Sequence, residues 1–102
     1  MDDDLRVFRR YLKKINTTGL KQLCAKAGFN EEEIELFVMF YGEGKSEQFI
    51  ADKLYIGIDA FHNAKMRLLY KLQHFCRTNL YHCELTTRDE RLRIIDDYLR
   101  KI

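Results

Sequence analysis

Apolar residues recur along this chain at intervals of three and four, the spacing that lines one face of an α-helix. Leu5, Phe8, Leu12 and Ile15 form the first such stripe and predict a helix over 3–15. Arg6, Arg9, Arg10, Lys13 and Lys14 occupy much of its other surface, and Asp2, Asp3 and Asp4 suit the positive end of its dipole. Asn16-Thr17-Thr18-Gly19 breaks the pattern. A short helix over 19–27 follows, with Leu20, Leu23, Cys24 and Ala27 inward and Gly28 as its stop. Asn30 is a good N-cap, and Glu31, Glu32 and Glu33 complement the dipole of a third helix over 31–41. Its core side is Ile34, Phe37, Val38 and Tyr41, and Gly42 and Gly44 end it. Ser46 caps a fourth helix, 47–54, with Phe49, Ile50 and Leu54 inward and Ala51 small enough to let another helix approach. After the connection Tyr55-Ile56-Gly57-Ile58, a fifth helix starts at 58 or 59 and runs to 76 on the stripe Phe61, Ala64, Leu68, Leu72 and Phe75. Residues 78–86 carry weak signals and read as loop or irregular helix. Thr87 with Glu90 is a capping box that opens a last helix over 88–102, with Leu92, Ile95, Leu99 and Ile102 inward.

These elements predict an all-α fold, a compact bundle of five to six helices in a single domain over 1–102. Residues 1–28 hold the N-terminal helices, 29–76 the central part, and 77–102 the C-terminal connection and helix. Composition agrees: there are 13 Leu, only 2 Val and no Pro, which favours helices over strands. With 46% hydrophobic and 33% charged residues, the chain is too apolar for disorder. No apolar run nears the roughly 18 residues that span a membrane. The acidic start, Met1-Asp2-Asp3-Asp4, is unlike a secretory signal, and three Cys are an odd number for a disulfide framework. Both point to a cytoplasmic protein with no membrane partner.

A formal charge of +2 argues against an obviously basic nucleic-acid binder. The total hides a pattern, however. Residues 1–27 carry +4, residues 31–53 carry −5, residues 54–83 carry +3, and the remainder is neutral.

The fourth and fifth helices, joined by a tight connection with a Gly, have the outline of a helix-turn-helix. Within 29–72 the order of elements is an acidic N-capped helix (Asn30 to Tyr41), Gly44-Lys45-Ser46, Ile50-Ala51 with Leu54, then Phe61, Arg67 and Lys71-Leu72. This stretch resembles the DNA-binding module of sigma-factor region 4 (sigma-70 type) and the related LuxR-like helix-turn-helix domains. The resemblance implies a small sequence-specific protein that binds double-stranded DNA, a bacterial or phage transcriptional regulator, with its recognition helix at 58–76 in the major groove. At 102 residues, a complete sigma factor with a second promoter-binding domain is not expected. In the family the turn usually holds Gly where Tyr55 stands, so a turn of different shape is expected here. Gly57 takes the usual Ser/Thr cap position, which leaves Asp59 to cap two residues later.

On the fifth helix, Ile58, Asp59, His62, Asn63 and Met66 are linked by steps of three and four and predict one exposed, base-facing side. Asn63 is the best base reader, because an amide binds adenine bidentately, and His62 is expected to donate to a guanine or a phosphate. Lys65, Arg67 and Lys71 are expected to lie nearer the backbone and neutralise phosphates, joined by Lys45 and Ser46 at the start of the fourth helix. The basic first helix reads as a solvated outer face.

Other chemistry is weaker. His74, Cys76, His82 and Cys83 fall within ten residues, but adjacent ligands at 82 and 83 are hard to aim at one ion, so no metal is expected. No catalytic constellation, phosphate loop or nucleophile elbow is present, so neither an enzyme nor a cofactor is expected. Phe37, Phe40, Tyr41, Phe49 and Phe61 read as core rather than as a stacking platform. A homodimer on paired half-sites is one expected partner arrangement. The rival reading is an all-helical protein-interaction module, an adaptor that binds RNA polymerase or another regulator through the acidic middle helix and keeps the helix pair only as a scaffold.

Overall fold

A computed structural model describes residues 3–81 and 85–101. The described residues form six α-helices and no strand: α1 Asp3–Leu12, α2 Thr17–Lys26, α3 Glu31–Phe37, α4 Glu47–Lys53, α5 Ile58–Asn79 and α6 Arg88–Lys101. The all-α prediction holds. Ile102, His82 and Cys83 lie outside the described residues.

Local chemistry sets most of the boundaries. The Asn16 side chain accepts from the Gly19 N–H at 2.7 Å, so α2 begins at Thr17, earlier than the apolar stripe implied. Asn30 and Glu33 form a reciprocal capping box at the start of α3, with both bonds at 2.9 Å. Thr87 and Glu90 do the same for α6. Helix α1 stops at Leu12, short of Ile15, and α5 runs on to Asn79 through part of the segment expected to be irregular.

The third helix departs from regularity. Its last turn, Val38–Gly42, is π-helical, closed by the Glu43 N–H donating to the Val38 carbonyl at 2.9 Å. Leu36, Phe37, Val38 and Met39 open an apolar run that continues to Tyr41, and one regular α face cannot bury all of them. The wider turn shifts the register, so all four and Tyr41 are buried.

One core joins every helix. Helix α5 is its axis: Phe61, Lys65, Leu68, Leu69, Leu72, Gln73 and Cys76 are buried, and α1, α3 and α4 pack on it. Helix α6 closes the other end against α1 and α2, with Ile95 fully buried. Of the expected inner face of α4, Ile50 is buried and Leu54 half-buried, with Ala51 buried beside them. Phe49 is 46% exposed, which corrects its placement in the core. Ile50, Ala51 and Leu54 share one inward arc of α4, and Phe49, about 100° from Ile50 on the side away from Ala51, falls outside it.

The turn between α4 and α5 keeps the left-handed residue that the Gly-to-Tyr departure was expected to remove. Tyr55 has φ 57°. The Ile56 N–H donates to the Ala51 carbonyl at 3.0 Å and the Tyr55 N–H to the Asp52 carbonyl at 3.2 Å, a Schellman ending with Tyr in the Gly position. Gly57 is the N-cap of α5, with no side-chain cap bond from Asp59.

Two measurements check this account. Tyr55→Gly relieves a left-handed penalty of about 1–2 kcal/mol, less the extra unfolded-state entropy of Gly. The variant is expected to gain about 0.5–1 kcal/mol, read as a Tm rise of about 4 °C. Burial pushes the Cys24 and Cys76 thiols up to about 12, for Cys24 with help from Cys76 nearby. They stay protonated in the native state while the unfolded chain ionises near 9, so stability is full below pH 9 and falls as pH rises towards 12. The slope is about 1.4 kcal/mol per pH unit for each thiol, checked by urea unfolding at pH 8 to 11.

Candidate nucleic-acid interface

The first two turns of α5 stand clear of the core on one side. Phe61, Leu68 and Leu72 hold the helix from behind, while Ile58, Asp59, His62 and Asn63 are exposed. Met66 is a correction: it is half-buried and packs against the core.

Lys65 is the larger correction. It is only 6% exposed and is not a phosphate-facing cation. Its Nζ donates to Glu47 Oε1 at 3.4 Å and lies over the rings of Phe40 (4.6 Å) and Phe61 (5.7 Å). Aromatic faces and one carboxylate replace the water that a buried ammonium would otherwise lose. Spacing carried the signal: residue 65 is four after Phe61 and three before Leu68, on the inward stripe itself.

Arg67 and Lys71 are exposed but are used by the fold. Arg67 Nη1 lies 3.2 Å from Glu33 Oε2, tying α5 to the first turn of α3. Lys71 Nζ donates to the Gly28 carbonyl at 3.1 Å and sits 5.5 Å above the Phe29 ring. The Asn30 backbone N–H, then Arg67 and Lys71, hold the Glu33 carboxyl below its ordinary value. The phosphate roles expected of these two cations would compete with contacts already made.

At the start of α4 the cations face outward. Ser46 caps the helix, its Oγ accepting from the Phe49 N–H at 3.1 Å. Lys45 is exposed and covers the outer face of Phe49 at 5.4 Å. Lys13, at the end of α1, shares with Lys45 the wall of a shallow groove of about 430 Å³ floored by Phe40 and Tyr41. Lys13 was missed as a site residue because its closeness to Lys45 is tertiary; the basic first helix was the available hint.

Glu47 was missed altogether. Its two carboxylate oxygens reach α5: Oε2 lies 2.8 Å from His62 Nε2 and Oε1 takes the Lys65 ammonium. One residue of α4 thereby orients the exposed face of α5.

Beside the α4–α5 turn lies a second groove of about 360 Å³, lined by Leu36, Leu54, Ile56 and Leu68, with Tyr55 on its wall. Tyr55 is 95% exposed. Among the described residues no group of His, Cys, Asp and Glu is placed to hold a metal: His74 is exposed and Cys76 buried.

Lys65→Ala tests the corrected role. It is expected to cost about 2 kcal/mol of stability, from the lost stem packing and the lost Glu47 contact, measured by thermal or urea unfolding. A stability unchanged from the parent would count against the buried pair.

Compared with protein-family models, with curated proteins and with solved structures, the chain matches none.

Proposed function

We propose that this protein binds double-stranded DNA, with the N-terminal half of α5 in the major groove. The observation that supports this most is the exposure of His62 and Asn63 on one side of a helix whose other side is anchored in the core. An α-helix held in this way can enter the groove without loss of packing, and an amide at residue 63 has the donor and acceptor that adenine requires. Lys45 and Lys13, which line one groove with Glu43 ahead of α4, replace Lys65 as the cations that meet phosphate. The resemblance to sigma-factor region 4 and LuxR-like modules supports the same arrangement, and with it a role in bacterial or phage transcriptional control. So few outward cations near α5 imply weak binding by one copy, so a homodimer on paired half-sites belongs to the proposal.

A second reading is favoured by Tyr55. A bulky residue held at positive φ and almost fully exposed stabilises nothing in the fold itself, and Tyr is common at the centres of protein interfaces. Beside an apolar groove rimmed by Glu32 and Glu35, it suits a protein partner such as a polymerase subunit or a regulator.

Mobility shift of a random duplex pool separates the two. For DNA binding, affinity falls steeply with salt, and Lys13→Ala and Lys45→Ala each weaken binding on all sequences and reduce the salt slope by about one. Asn63→Ala relaxes preference at one base pair, at about 1–3 kcal/mol. If the folded protein retards no duplex at low salt, the DNA reading fails and the partner reading stands.

A further inference from the structure

The contact between Glu47 and His62 decides more than the pose of the imidazole. Nε2 lies 2.8 Å from Glu47 Oε2, so one proton sits between them. A carboxylate only accepts, so that proton belongs to Nε2. In the neutral ring the second nitrogen, Nδ1, is then bare and is an acceptor. Nδ1 has no partner among the described residues, and the His62 side chain is 47% exposed.

A second contact orients Glu47. Its other oxygen is held by Lys65 at 3.4 Å, and Lys65 is buried between two aromatic rings. The buried ammonium fixes the carboxylate, and the carboxylate fixes which imidazole nitrogen carries hydrogen.

We infer that His62 in its neutral form reads a hydrogen-bond donor on a base edge, the exocyclic amine of adenine (N6) or cytosine (N4), and that Glu47 is the positioning residue that imposes this choice. The inference rests on the proposal that α5 lies in the major groove. It reverses the expectation that His62 donates to guanine or phosphate. Guanine N7 and O6, thymine O4 and phosphate oxygens only accept, and two acceptors do not bond. The adjacent Asn63 carries both a donor and an acceptor, so the pair of residues is not redundant.

Glu47→Gln inverts the signal with little change of shape. The Gln carbonyl still accepts from Lys65, while its amide now donates to His62 Nε2, which moves the ring proton to Nδ1 and makes the outward nitrogen a donor. The experiment has two arms, both at pH 8. In the first, ¹⁵N chemical shifts of His62 in the free protein report the tautomer, expected as Nε2–H in the parent and Nδ1–H in Glu47→Gln. In the second, the duplex selected by the parent is tested at the position whose preference His62→Ala relaxes. Removing the exocyclic amine there, with purine for adenine or 2-pyrimidinone for cytosine, is expected to weaken the parent about tenfold and His62→Ala not at all. Glu47→Gln should be insensitive to the amine and prefer guanine. An Nδ1–H tautomer in the parent, or a bound duplex indifferent to the amine, overturns the assignment while DNA binding stands. Absence of any duplex binding removes the DNA reading and this assignment with it.

Discussion

The burial of α5 on two sides is the constraint on which the other elements depend. Phe61, Leu68 and Leu72 lie along one buried strip, and Leu69, Gln73 and Cys76 widen it until α5 needs cover from both ends of the chain. Helices α1, α3 and α4 supply it directly, and α6 is drawn in through α1 and α2. A single amphipathic stripe needs one neighbour, whereas a helix buried over a wider arc becomes the axis of a bundle. This arrangement leaves one side of α5 uncovered along its length, and the candidate site is the N-terminal part of that side, where Glu47 meets His62.

Lys65 shows how the same constraint shapes the site. Once α5 is the axis, residue 65 must face inward, and its ammonium needs compensation. Glu47 and the rings of Phe40 and Phe61 provide it. Glu47 has a second oxygen to use, and His62 is one turn from Lys65 on the same helix. A burial requirement in the core is thus passed to the exposed surface through one carboxylate. Lys65 is the buried partner of this pair, so removing Glu47 would leave its ammonium with only the two rings for compensation.

Arg67 and Lys71 illustrate the opposite case. Both are exposed, yet each is drawn to an electronegative group that only the folded chain brings near: Glu33 at the start of α3 and the Gly28 carbonyl at the end of α2. They are side-by-side stays between α5 and the α2–α3 connection. Two of the four cations of residues 54–83, Lys65 and Arg67, are paired with Glu47 and Glu33 of the acidic stretch before them, and the outward cations Lys13 and Lys45 come from just after α1 and from the loop before α4.

The local signals in the sequence determined the elements. Asn30 with Glu33, Thr87 with Glu90, Ser46 and Gly28 mark helix ends because a cap bonds to backbone within four residues of itself. Apolar spacing identified the inward residues of α1, α2 and most of α5, since one helical face is a property of the segment alone. Exposure of Asp59, His62 and Asn63 was legible for the same reason. Four things were not. The π-helical turn answers a core that must accept four consecutive apolar residues; Phe49 yields the inside to Ile50; Tyr55 adopts the left-handed turn because the Schellman bonds and the packing of α4 on α5 require it. The fate of each charge was the fourth. Periodicity says which way a side chain points, but what it meets depends on segments 18 to 43 residues away, and only the tertiary structure brought Glu47 to Lys65, Glu33 to Arg67 and Gly28 to Lys71.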